Sequence, residues 1–290
     1  MKYIDRQGNI NNDDSSQDKL LRWMYGTPLG RGALKVLVQP WVSNVAGMFL
    51  DSSLSTFIIP GFVKSNKINM DDYVEETYSS YNEFFTRHIK PELRPLEGDD
   101  NTVTSPCDGK LSVYKVSKNS TFNIKDTRYT LNSLLRSKEL AKRYEGGTVC
   151  VFRLTVDDYH RYSYIDSGIK SEEYFIQGLY HTVNPTANDV YPIYKENTRQ
   201  FSLLKSDHFK TILMMEVGAL LVGRIRNYKG KAKVLKGEEK GCFEFGGSTV
   251  VLIFEKDAVD IDTDLWNNTE NGYETIVHMG QSIGKSRNVK

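Results

Sequence analysis

An unbroken apolar run, Val250-Val251-Leu252-Ile253-Phe254, follows directly on Gly246-Gly247-Ser248-Thr249. Five such residues in succession, entered through a glycine pair, predict a strand over 249–255 that needs cover on both faces. The serine at its mouth also carries chemistry. Gly247 has no side chain to hinder approach to its carbonyl and tolerates unusual backbone angles. Given a base, the Ser248 hydroxyl is a nucleophile beside a reachable acyl group. Attack on its own preceding carbonyl would turn a peptide bond into an ester, and elimination from that ester would break the chain. The serine-hydrolase elbow G-x-S-x-G is absent, because Val250 stands where its second glycine belongs. A tight turn entering a buried strand explains the same residues without any chemistry.

Two further segments supply partners for a serine. Ser105-Pro106-Cys107-Asp108-Gly109 reads as a turn ahead of a strand over 110–116. A second strand over 148–155 runs into Asp157-Asp158-Tyr159-His160-Arg161-Tyr162. Asp, His and Ser are the parts of an orienter, base and nucleophile relay, which is defined by geometry and not by chain order. Asp108 can equally cap its turn, and a lone histidine at a strand end is usually structural. Cys107 reads as a small packing residue. His88, His181, His208 and His278 lack metal-ligand spacing with any Cys, Asp or Glu cluster, so no metal is expected.

The chain has 290 residues, enough for one large domain or slightly more. Its 38 basic and 37 acidic residues nearly balance, so no global field recruits nucleic acid. Three cysteines, Cys107, Cys150 and Cys242, are too few and of the wrong parity for a disulfide framework. Residues 1–18 are polar and acid-rich, the opposite of an export signal. Residues 19–90 read as mostly helical, with short helices near Asp71 and Tyr81, and Arg94 to Gly98 link them to a strand-rich body. Strands are expected over 110–116, 148–155, 173–180, 211–225 and 249–255, with a helix over 131–144. The tail beyond Gly284 is short, basic and expected to fray.

No apolar run approaches the roughly 20 residues that span a bilayer. Between 29 and 63, however, Leu34, Leu37, Val38, Trp41, Val42, Val45, Ala46, Phe49 and Leu50 recur at helical steps. Pro40 should kink or divide that helix, and Phe57-Ile58-Ile59-Pro60-Gly61-Phe62 adds a second apolar patch. The pattern suits a helix lying in the headgroup region, and equally one packed on the protein's own core.

An ordered series of motifs resembles the pyruvoyl-dependent phosphatidylserine decarboxylase proenzymes. It runs from Phe84-Phe85-Thr86-Arg87 and Arg94-Pro95-Leu96 through Ser105-Pro106-Cys107-Asp108-Gly109, Tyr129-Thr130-Leu131 and Asp158-Tyr159-His160-Arg161. It continues with Val183-Asn184-Pro185, Asn197-Thr198-Arg199, Val217-Gly218-Ala219, Val222-Gly223, Lys240-Gly241 and Phe245-Gly246-Gly247-Ser248-Thr249. Together these span roughly residues 30 to 280.

The resemblance implies an α+β fold, an N-terminal helical, membrane-associating region over 1–95 and a β-rich barrel-sandwich-like catalytic domain over 96–290. It implies that Asp108 orients His160 and that His160 deprotonates Ser248. Serinolysis at Gly247-Ser248 then yields a β chain, 1–247, and an α chain, 248–290, which stay together as a heterodimer, whether or not it dimerises further. Ser248 becomes a pyruvoyl cofactor that forms a Schiff base with the amine of phosphatidylserine and withdraws electrons as carbon dioxide leaves. The expected location is peripheral, on the cytoplasmic face of the cell membrane.

One departure is visible. Many relatives carry a second histidine three residues after the first, where this chain has Ser163. That leaves open which group protonates the decarboxylated intermediate, His160 itself, Tyr162 or a water held by Ser163. Two other functions remain in view: a pyruvoyl-dependent decarboxylase of a soluble amino acid, and a Ser-His-Asp hydrolase that never cleaves itself.

Overall fold

The computed structural model describes residues 2–12, 27–37, 39–117, 121–124, 127–179, 197–218, 224–244 and 248–287. Its early strands are β1 (Lys2–Ile4), β2 (Ile10–Asn12), β3 (Thr102–Thr104), β4 (Gly109–Lys115), β5 (Thr121–Ile124), β6 (Thr127–Thr130) and β7 (Thr148–Leu154). The middle of the chain gives β8 (Arg161–Ser163), β9 (Gly168–Lys170), β10 (Tyr174–Ile176), β11 (Arg199–Ser206) and β12 (Thr211–Val217). Then come β13 (Ile225–Asn227), β14 (Ala232–Val234), β15 (Glu239–Phe243), β16 (Ser248–Phe254), β17 (Val259–Ile261), β18 (Glu274–Val277) and β19 (Ser282–Ser286). The helices are α1 (Pro28–Leu37), α2 (Pro40–Leu50), α3 (Ile59–Ser65), α4 (Tyr81–Phe85), α5 (Leu131–Leu135), α6 (Lys138–Arg143) and α7 (Thr263–Glu270).

The glycine-led apolar run is strand β16, and it lies in the middle of the largest sheet. That sheet is ordered β14-β9-β11-β12-β16-β7-β4-β18-β1-β2, with β10 also paired to β11. Its pairings are antiparallel except β1 with β18. Alternation along β16 divides the core in two. Val251 and Ile253 join Leu213, Met215, Val217, Val149 and Val151 under α5 and α6, whose Leu131, Leu134, Leu135 and Ala141 face them. Val250, Leu252 and Phe254 join Phe152, Leu154, Met214 and Leu111 on the opposite face. That second face is covered by the sheets β13-β15-β8 and β17-β19-β3 and by α7, through Tyr162, Phe243, Ile261, Ile283 and Leu265. The architecture is thus α+β and sandwich-like. Among the described residues the large sheet stays open, so it is not a closed barrel.

Several elements differ from the sequence expectation. The helix expected over 131–144 is two helices, because Arg136 adopts a left-handed backbone (φ 51°) and Ser137 caps a new start by accepting from the Leu140 N–H. The strand expected over 211–225 ends at Val217, and residues 225–227 form β13 in another sheet. The strand over 173–180 contracts to β10. Within the polar start, residues 2–12 form the hairpin β1–β2 on the sheet edge, and Arg6 bonds Asp262 and Asp264. Toward the tail, Arg287 pairs with Asp257 and Asp260. Pro40 divides the N-terminal helix as expected, standing in the first turn of α2 after an extended Gln39.

Candidate active site

Ser248 opens β16 opposite Leu154 of β7, on the face shared with Val250 and Leu252. It is buried, and its Oγ has no hydrogen-bond partner among the described residues. Gly246 and Gly247, the other half of the expected cleavage site, lie outside the described residues.

His160 arrives from the facing layer. After β7 the chain turns through Thr155–Asp158, and the turn is fixed from inside by Lys110. Its Nζ bonds both Asp158 carboxylate oxygens, at 2.8 and 2.7 Å, and Thr155 Oγ1 at 2.6 Å. Asp158 is thereby held so that its backbone carbonyl accepts from His160 Nδ1 at 2.9 Å. A carbonyl only accepts, so Nδ1 carries the proton and Nε2 keeps the lone pair. That Nε2 is buried and has no partner among the described residues. The backbone of His160 is anchored to β15 by the Phe243 N–H, and Phe85 of α4 lies against its ring with centroids 4.2 Å apart. Burial, followed by the nearby Arg87 guanidinium, pushes the His160 pKa down to about 3. The imidazole is therefore neutral over the ordinary pH range and available as a base.

Asp108 has other partners than the expected one. No hydrogen bond joins it to His160. Arg94 grips its two oxygens, the Met279 N–H donates to Oδ1 at 2.8 Å, and the His278 ring lies 3.6 Å away. The orienting role expected of Asp108 falls geometrically to the carbonyl of Asp158. The Asp108 turn still belongs to the same region, since the Ser163 N–H donates to the Pro106 carbonyl at 2.8 Å. Gly109 is required there: its φ is 155° and an added Cβ would lie 2.9 Å from the Arg153 carbonyl oxygen. Burial works against ionised Asp108, but the His278 ring and, more closely, the Arg94 guanidinium hold its pKa down at about 2.

Of the remaining sequence candidates, Cys107 is fully buried in the apolar core, and burial pushes its thiol well up. His88 pairs with Glu76 and His208 with Asp166. His181 lies outside the described residues. His278, noted from sequence only as lacking metal-ligand spacing, stands beside Asp108.

The family model for phosphatidylserine decarboxylase matches residues 81–285. The chain belongs to the phosphatidylserine decarboxylase family. A Clostridium botulinum phosphatidylserine decarboxylase proenzyme is 39% identical over 291 residues, covering 98% of this chain and 99% of the relative. A Clostridium acetobutylicum protein named phosphatidylserine decarboxylase proenzyme 2 is 40% identical over 267 residues, 92% of this chain and 91% of its own. A Clostridium perfringens proenzyme is 40% identical over 273 residues, 92% of each. The match to the phosphatidylserine decarboxylase family spans every site residue described above, from Phe85 to Met279.

Three residues to which the sequence reading gave no site role, two of them quoted within its motifs, are brought to this region by the structure. Arg94 is the partner of Asp108, Lys110 fixes the His160 turn, and Arg87 is buried beside the His160 ring's neighbours, its guanidinium 4.7 Å from the Phe84 ring centre. The one available signal was charge within otherwise apolar or aromatic segments.

Proposed function

We propose that this chain is a self-processing phosphatidylserine decarboxylase that cleaves itself between Gly247 and Ser248. It then converts phosphatidylserine to phosphatidylethanolamine and carbon dioxide. Family membership and near full-length similarity to proenzymes named for that reaction support the activity. One observation supports the residue assignment: Ser248 Oγ and His160 Nε2 are both buried on facing layers, and both lack a hydrogen-bond partner among the described residues. Leaving buried polar atoms unpaired is costly, and these two are the nucleophile and base that self-cleavage requires.

His160 Nε2 takes the proton of Ser248 Oγ. The freed oxygen pair bonds to the Gly247 carbonyl carbon, and the carbon–nitrogen bond breaks as His160 passes its proton to the departing amine. An ester then joins Gly247 to Ser248 Oγ. Its elimination and hydrolysis, with release of ammonia, give chains 1–247 and 248–290, the second beginning with a pyruvoyl group. Ser248 fits that origin, since its hydroxyl is buried and uncommitted. Once formed, the group supplies the electron sink for loss of carbon dioxide. The neutral His160 is placed to hold or return a proton there, and the apolar neighbours Val250 and Leu154 exclude water. Asp108, with Arg94, positions the Met279 segment of the second chain against the site.

The lipid substrate is met at a membrane surface. Trp41, Val45, Met48 and Phe49 of α2, with Leu54 and Phe57 just after it, are exposed and apolar. No described helix is long and apolar enough to cross a membrane. We assign 1–95 as the membrane-facing region, on the cytoplasmic face, and 96–290 as the catalytic domain. A cavity of about 560 Å³ between α4 and strands β8 and β13, lined by Asn82, Arg161, Arg226 and Glu244, offers both signs of charge to a phosphoserine headgroup.

Denaturing mass spectrometry of active protein should give two chains, the smaller with a pyruvoyl terminus. Vesicles containing phosphatidylserine should release carbon dioxide, and free serine or tryptophan should not. An intact chain in fully active protein would refute self-processing, and turnover of a free amino acid alone would refute the lipid substrate.

A further inference from the structure

Strand β12 reads Thr-Ile-Leu-Met-Met-Glu-Val, an apolar run broken by one charge at Glu216. Glu216 is fully buried, and so is the lysine that meets it, Lys240. Lys240 Nζ lies 2.9 Å from Glu216 Oε1, 3.2 Å from Glu173 Oε1 and 2.7 Å from Asn227 Oδ1. Asn227 Nδ2 donates to Glu216 Oε2 at 3.1 Å and to Gln200 Oε1 at 3.2 Å, and Lys170 Nζ completes the set 2.9 Å from Glu173. The lysine is delivered by a local device. The β15–β8 register shifts between Glu239 and Gly241, so Lys240 is the bulged residue and is turned out of the ladder into the space between the layers.

The register also fixes where this charge sits. Glu216 pairs with Val250 and Val217 with Thr249. Side chains two apart share a face, so Glu216 and Ser248 project from the same side of the sheet. They are diagonal neighbours on adjacent strands, a relationship of about 7–8 Å that a long side chain spans. An apolar pair would fill the same volume among Val250, Met214 and Leu252 without the desolvation cost of two buried charges. Burial pushes the Glu216 pKa up, and the Lys240 ammonium pulls it back. The result is a carboxylate more basic than an exposed one, next to the residue whose bonds must be rearranged.

We propose that Glu216, clamped by Lys240 and Asn227, is the base that drives elimination at residue 248 after His160 has promoted ester formation. The Glu216 carboxylate takes the Cα proton of Ser248. The electrons of that C–H bond become the Cα–Cβ double bond, and the Cβ–Oγ bond breaks, with its pair leaving on the Gly247 carboxylate. The inference rests on the self-cleavage reading above and divides its two proton transfers between two residues.

The test follows maturation of the full chain by intact mass, with and without hydroxylamine. Hydroxylamine cuts an ester to give a Gly247 hydroxamate and a chain beginning with unmodified Ser248. In Glu216→Gln, pyruvoyl formation should slow roughly 100-fold or more, and a hydroxylamine-sensitive ester, equal in mass to the intact chain, should accumulate. A single neutral replacement leaves Lys240 and Lys170 sharing Glu173 alone, so the double variant Glu216→Gln with Lys240→Gln is made as well, and it should trap the same ester. Pyruvoyl formation at the wild-type rate in either variant overturns the proposal. So does a folded variant that stays uncut and hydroxylamine-resistant, because Glu216 would then act before the ester exists. Failure of both variants to fold assigns the pair to structure alone and also overturns it. A wild-type chain that never acquires pyruvoyl would instead refute the self-cleavage reading.

Discussion

The Arg94 guanidinium holds the Asp108 carboxylate by two bonds, Nε to Oδ1 at 2.7 Å and Nη2 to Oδ2 at 2.5 Å. The same carboxylate accepts from the backbone of Met279, which belongs to the segment beyond the Gly247–Ser248 bond. Asp108 is thus a clasp between the two future chains. Its pKa is depressed to about 2 in the folded state. The stabilisation is therefore fully present above the ordinary carboxylate pKa near 4 and is lost as pH falls through about 2. The shift corresponds to about 2 kcal/mol at neutral pH. Asp108→Asn should lower stability at pH 7 by that order, and its stability should fall less steeply than the wild type's between pH 4 and 2. Denaturant melts across that range check this, and parallel curves for the two proteins would remove the clasp. Maturation of the same variant should be slowed through misplacement of the Met279 segment, and cleavage at the normal rate would show that Asp108 serves the assembled site only.

Ser248→Ala should remain a single uncut and inactive chain, since no hydroxyl is left to attack or to become a carbonyl. His160→Ala retains the nucleophile without its base, and loss of a positioned base costs roughly 10²- to 10⁴-fold. It should mature by that much more slowly, as read from the ratio of intact to cleaved mass over time. Rapid cleavage of His160→Ala would show that another group deprotonates Ser248.

Cleavage should not separate the chains. The second begins with β16, hydrogen-bonded on one side to β12 and on the other to β7, and continues into β18, held between β1 and β4. Buried Arg153 reaches across to Glu274 with three bonds of 3.0, 3.2 and 2.5 Å. The cleaved protein should elute as one native species and lose both chains' structure in a single denaturant transition. Arg153→Met, which strands Glu274, should destabilise by about 3 kcal/mol. Release of 248–290 in native buffer would contradict the interleaved topology.

The sequence made the centre of this fold legible and left its pairings hidden. The apolar run after Ser248 read as a buried strand, and it is β16 within one residue. Pro40 divided its helix for a local steric reason that any sequence displays. By contrast, β1 docks on β18 through a parallel pairing across almost the whole chain, and its Lys2-Tyr3-Ile4 gives no sign of it. Ser248 and His160, the proposed nucleophile and base, were singled out by residue type and motif order. Their orienter was not, because His160 is held by a backbone carbonyl, and every residue has one. Arg136 shows the same limit, since an arginine in the left-handed region is set by its surroundings and not by its own preference. Glu216 was readable, as one charge inside an apolar strand, but its meaning needed the register that brings it beside Ser248.

The membrane surface gives the last expectation. Helix α2 is anchored from one side, where Leu50 is buried and Asp51, capping its end, pairs with Arg224 of the body. Its other side presents Trp41 at 60%, Val45 at 59% and Phe49 at 44% exposure to solvent. Leu50 also packs in the aromatic cluster of Phe62, Tyr81, Phe84 and Phe85, and Phe85 is the residue that lies on His160. A bilayer docked on α2 therefore sits one packed layer from the candidate base. Replacing Trp41, Val45 and Phe49 by aspartate removes three apolar contacts with lipid, together worth roughly 3 kcal/mol, or about a hundred-fold in vesicle affinity. Sedimentation with vesicles and turnover of bilayer phosphatidylserine should both fall by that order. The proposed cleavage at Ser248, which is buried in the body, should proceed normally, and a short-chain phosphatidylserine in solution should still be turned over. Undiminished vesicle binding by the triple variant would move the membrane contact elsewhere on the protein, whereas loss of cleavage would show that α2 supports the Phe85–His160 contact.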